Sequence, residues 1–251
     1  MRSDRSAPRG EVHTLVLESA LLKGNLLGDP TRREVPVYLP AGHAGDNGAR
    51  GLPLLVDLVG FTAGGPAHLN WKNFGENLPE RLDRLIAAGA LAPVAVAFPD
   101  CFTRLGGNQY VNSSALGPWE DVLIQEIVPL VEDSFGCGGK GRRGVFGKSS
   151  GGYGAIIHGM RHAGTWGAVA SHSGDAHFET CYQPMWPEAL THLGAYRKPA
   201  PKAGAVNVEK RAAGLEDGLD DGRVARFLDH FWQKDRPGGD EIATLMMVAM
   251  A

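Results

Sequence analysis

Two stretches of this 251-residue chain, Leu52–Val59 (LPLLVDLV) and Leu91–Phe98 (LAPVAVAF), are almost unbroken hydrophobe. A strand with one wet face alternates apolar and polar residues. A near-continuous run belongs to a strand covered on both faces, which in practice means a parallel sheet between layers of helix. The segments around these runs agree. Asn77–Ala88 carries Leu78, Leu82, Leu85 and Ile86 at helical spacing, and Trp119–Phe135 repeats it through Val122, Ile124, Ile127, Val128 and Val131. Arg33–Pro40 alternates as a half-buried strand, and Gly144–Phe146 and Gly167–Ser171 read as further short strands. This alternation predicts an α/β fold, a mostly parallel sheet with helices on both faces.

The sheet core is expected over about residues 33–178 of one domain spanning 1–251. Beyond Phe178 the chain turns rich in Pro, Gly and charge, with no buried strand. It reads as an insertion or cap-like segment over 179–251, holding an amphipathic helix at Arg223–Trp232 and an apolar one at Ile242–Met250. The 35 glycines are not periodic, which excludes repeats, and they cluster where strands must turn sharply into helices. A net charge of −3 gives no reason to expect a nucleic acid or an anionic membrane as partner. No apolar run approaches the ~20 residues that span a bilayer. The polar stretch Met1–Val12 has no apolar segment behind its arginines, and three scattered cysteines make no disulfide framework, so cytoplasm is the expected compartment.

Gly147-Lys148-Ser149-Ser150-Gly151 fits G-x-S-x-G. That spacing suits a serine on a sharp strand-to-helix turn, where only small residues two before and two after avoid collision. The hydroxyl then projects above the sheet edge, and the following helix N-terminus offers backbone N–H groups to a developing oxyanion. A second donor is expected in the loop after the first buried strand, Val59-Gly60-Phe61-Thr62. This makes Ser149 the nucleophile and the backbone N–H groups of Phe61 and Ser150 the oxyanion hole. Gly60, Asp100 and His172 lie at strand ends on the same edge and are expected to line the pocket. Glu120 and Asp121 begin a helix, where capping is the expected role. His158 and His162 read as packing or surface groups. No four-ligand metal cluster, phosphate loop or dinucleotide fingerprint is present, so no metal or cofactor is expected.

Three stretches carry a wider likeness: LPLLVDLVGFTAGG, APVAVAFPDCFTRLGGNQYVNSSALGPWEDVLIQEIVPLVEDSFG and RRGVFGKSSGGYGAIIHGMRHAGTWGAVASHSGD. In that order and spacing the chain resembles the putative-esterase family of α/β-hydrolases, which includes the esterase D type of S-formylglutathione hydrolase, over about Val35–Phe178. The resemblance implies hydrolysis of a small-molecule carboxylic ester or thioester through an acyl-serine. It also implies two further strands, followed by a triad acid and then a histidine. The tail shows neither, so the chain reads as a family member with a long insertion after Phe178, cut short before acid and base. A non-catalytic binding or assembly remnant of the same fold is the alternative reading. Missing strands would leave an open sheet edge, a template for a homodimer.

Overall fold

The computed structural model describes residues 8–43, 45, 48–197 and 222–250. The polar start of the N-terminal stretch and residues 198–221 of the expected cap-like segment lie outside the described residues. The chain divides into two compact units, Met1–Ala176 and His177–Ala251, two residues before the boundary read from the sequence.

The first unit is built on six strands: β1 (Glu11–Glu18), β2 (Arg32–Leu39), β3 (Leu54–Leu58), β4 (Ala95–Ala97), β7 (Arg143–Lys148) and β8 (Ala168–His172). A two-residue hairpin pair, β5 (Asn112–Ser113) and β6 (Gly117–Pro118), stands apart from them. The order across the sheet is β1-β2-β4-β3-β7-β8. β1–β2 and β2–β4 pair antiparallel, whereas β4–β3, β3–β7 and β7–β8 are parallel. β1 has no counterpart among the predicted strands. Of its eight residues only Leu17 is buried, so its sequence carries little apolar alternation, and its place is fixed by full-length pairing with β2.

Helix α1 (Leu78–Ala87) begins where Asn77 and Glu80 form a capping box, with Pro79 in the first turn. Its Leu82 joins Tyr38, Val94, Val96 and Phe98 in a core that also takes in Leu55 and Phe146. The helical spacing over Trp119–Phe135 resolves into α2 (Trp119–Asp121), a π-helical turn (Val122–Ile127) and α3 (Val128–Phe135). Pro129 accounts for the interruption: it has no N–H and its ring crowds the preceding turn, so the helix widens just before it. Glu120 does not cap the helix as the sequence suggested. Its buried carboxylate accepts from Arg161 Nη1 at 2.8 Å and pairs with His162 Nε2 at 2.6 Å, the last residue and the C-cap of the helix that follows Ser149.

Helix α4 (Ser150–Arg161) covers the sheet face opposite α1, and its glycines set how closely it lies. β8 is one edge strand of the sheet among the described residues, opposite β1, and all five of its residues are exposed.

In the second unit no described residue is in a strand. It contains α5 (Phe178–Cys181), α6 (Trp186–Gly194) and the helices Arg223–Trp232 and Gly239–Met250. Tyr182, Ala189 and Met247 pack together at its centre. The last helix starts earlier than its apolar run because the Glu241 carboxylate accepts from the Gly238 N–H at 2.8 Å.

Candidate active site

Ser149 is the single residue between β7 and α4, held at φ 56° and ψ −124°. A non-glycine residue in such backbone is strained and persists only where its surroundings fix it. Here they do. The Ser149 N–H donates to the His172 carbonyl at 3.1 Å, and its own carbonyl accepts from the Tyr153 N–H at 3.0 Å. The flanking glycines are a packing necessity. A Cβ on Gly147 would lie 2.4 Å from the Gly151 carbonyl carbon, and one on Gly151 would lie 1.8 Å from the Leu58 carbonyl oxygen. The G-x-S-x-G spacing is thus what lets α4 start against the end of β3.

Asp175, which the sequence did not single out for the site, accepts from Ser149 Oγ at 3.0 Å and from Ser150 Oγ at 3.4 Å. The loop after β8 is pressed onto the start of α4: Gly174 and Gly152 approach so closely that a Cβ on Gly174 would lie 2.8 Å from the Gly152 carbonyl carbon. The available signal was positional, an acid three residues beyond a strand whose end faces the elbow.

The loop after β3, expected from the sequence to supply an oxyanion donor, runs beside Ser149. A Cβ on Gly60 would stand 3.5 Å from Ser149 Cβ and 4.0 Å from its Oγ. Among the described residues neither the Phe61 N–H nor the Ser150 N–H finds an acceptor, so both remain open to a substrate oxygen. Groups that the sequence did not single out hold this loop. The Gly107 N–H donates to the Phe61 carbonyl at 2.7 Å, and a Cβ on Gly106 would strike the Phe61 ring at 2.7 Å. The Tyr110 hydroxyl donates to the Val59 carbonyl at 2.8 Å, and full burial pushes that phenol's pKa well up, so it stays a donor.

The other expected pocket residues separate. Asp100 lies 3.9 Å from Arg33, accepts from the Phe102 N–H at 3.1 Å, and makes no hydrogen bond to Ser149. His172 lines a cavity on the α1 side of the sheet together with Asp57 and His68. Among the described residues no histidine nitrogen lies within hydrogen-bond reach of Ser149 Oγ. His158 is a packing residue, as read from the sequence. It is fully buried, its Nε2 meets the Tyr110 carbonyl at 2.8 Å, and burial lowers its pKa.

The family model described as "Putative esterase" matches residues 29–218, about three quarters of the chain. The chain belongs to this esterase family. Solved structures similar to this family member are α/β-hydrolase-fold esterases. A ferulic acid esterase is 25% identical with a TM-score of 0.53, over 66% of this chain and 59% of its own. The ferulic acid esterase of the anaerobic fungus Anaeromyces mucronatus is 17% identical with a TM-score of 0.52, over 66% and 60%. The enterobactin esterase of Shigella flexneri is 21% identical with a TM-score of 0.51, over 74% and 43%. The chain therefore spans less than two thirds of the length of the esterases it resembles. No curated protein matches it. No described helix is long and apolar enough to cross a membrane.

Proposed function

We infer that this chain acts as a serine carboxylesterase on a small acyl ester or thioester. The observation that carries the reading is the strained Ser149 beside Gly60, with the backbone N–H groups of Phe61 and Ser150 unclaimed among the described residues. Ser149 Oγ would attack the carbonyl carbon, and the resulting oxyanion would be held by those two N–H groups. The bond to the leaving alcohol or thiol then breaks, and the leaving group takes up a proton. Water hydrolyses the acyl-serine and regenerates the hydroxyl.

Among the described residues Asp175 is the one side chain that accepts the Ser149 hydroxyl, together with that of Ser150. It orients the hydroxyl. A carboxylate is ordinarily a much weaker base than imidazole, and general-base catalysis is best when the pKa lies near the working pH. The proposed reaction is therefore slow for this chain. The three cysteines, Cys101, Cys137 and Cys181, are unpaired, which suits the cytoplasm proposed from the sequence.

The test is p-nitrophenyl acetate turnover by the chain and by its Ser149→Ala variant. Turnover well below the ~10 s⁻¹ median of enzymes, lost in Ser149→Ala, is the expected result. Equal rates for chain and variant, both folded, would remove Ser149 from the chemistry and leave a binding remnant.

A further inference from the structure

We propose that the cavity on the α1 side of the sheet is a binding site for a small organic carboxylate, an anionic group on a short apolar or aromatic body. The cavity encloses about 270 Å³ and is walled by β3, β7, β8 and the segment leading into α1. Its floor is unusual for a buried strand. Asp57, next to the last residue of β3, is 1% exposed, and its carboxylate accepts from His68 Nδ1. That leaves the imidazole Nε2 as the polar group not claimed by Asp57.

The charges around this floor do not cancel. Of the two carboxylates lining the cavity, Asp57 is engaged by His68. Glu76 is held by Arg84 through two bonds, Nε to Oε1 at 2.7 Å and Nη2 to Oε2 at 3.0 Å. Lys72 and Lys148 also line the cavity and, among the described residues, form no salt bridge; Arg81 lines it too and acts electrostatically on Glu76. Lys72 and Lys148, together with an Arg81 that shares Glu76 with Arg84, surround one small concavity with a positive field that favours an anion. Leu78 and Phe146 supply an apolar wall, which a bare inorganic ion would leave unused. The volume lies just below the ~300–1,000 Å³ of sites for drug-sized ligands, so the ligand is small.

A second observation points the same way. Trp71 and Phe74 flank Lys72 on the same segment and are 74% and 104% exposed. Two large aromatic side chains left in water within four residues, beside a cationic cavity, are surface that an apolar ligand body would cover.

The proposal does not rest on the esterase reading, because its probe has no ester and its readout is binding. The experiment titrates the protein with sodium benzoate by calorimetry and follows the imidazole resonances by NMR, with His68→Gln used to assign the His68 signal. Expected is saturable binding with movement of the His68 signal. Affinity should fall about tenfold in Arg81→Ala and again in Lys148→Ala, the scale of one charge-assisted hydrogen bond. The two variants lie on different elements, so a folding defect in one leaves the other informative. Absence of saturation up to about 10 mM benzoate would overturn the proposal. Benzyl alcohol binding as well as benzoate would overturn the anionic part, and inorganic phosphate binding more tightly would overturn the organic part.

Discussion

Gly151→Ala is expected to destabilise the protein by about 3 kcal/mol, the upper end of ordinary overpacking. The added Cβ would stand 1.8 Å from the Leu58 oxygen, 2.4 Å from its carbon and 2.7 Å from the Val59 oxygen. All three are backbone atoms, so no side-chain rotation relieves the contact. Moving them means displacing the end of β3, where Leu58 is in register with Gly147 of β7. At ~2–4 °C per kcal/mol for a chain of this size, the melting temperature should fall by about 6–12 °C. Gly164 is the control, because a Cβ there meets nothing within 4 Å. Gly164→Ala should stay within about 0.5 kcal/mol of the parent, as surface substitutions do. Equal melting temperatures for the two variants would mean that the elbow glycines are not held by packing.

The second large effect is on rate. Phe61→Pro deletes the proposed oxyanion donor while leaving a residue of modest size. Loss of one such donor costs about 2.7–4 kcal/mol of transition-state stabilisation, or ~10²–10³ in kcat. Phe61→Leu keeps the N–H and should lose far less, although the Phe61 ring packs over Gly106 and some loosening of the loop is expected. Activity on p-nitrophenyl acetate, with circular dichroism to confirm folding, separates the two. Equal rates for the folded proline variant and the parent would remove Phe61 from the hole.

The parts of the fold that the sequence announced are those fixed by local pattern. The runs that became β3 and β4 are apolar but for Asp57 because both faces are covered. The predicted helix over Asn77–Ala88 became α1 with Asn77 as its cap, because a capping box and a 3.6-residue repeat are both written within a dozen residues. The elbow was legible for the same reason: one strained position needs glycine two residues either side. What escaped depends on distant partners. β1 is a strand through pairing with β2, not through its own alternation. The clamp on the proposed oxyanion loop comes from Gly106, Gly107 and Tyr110, more than forty residues further along the chain. Asp175 reaches Ser149 only because Gly152 and Gly174 let two backbones meet. Asp57 did leave a mark, a carboxylate inside an otherwise apolar run. Acids are almost never fully buried without a partner, and its partner His68 lies in the following loop.

That Ser149 is the nucleophile is tested most directly by covalent labelling. The folded chain is incubated with a fluorophosphonate probe, digested, and mapped by mass spectrometry beside its Ser149→Ala variant. The geometry predicts a single adduct on Ser149 that is absent from the variant. An adduct on Ser150 or Ser173, or none on the folded protein, would contradict it.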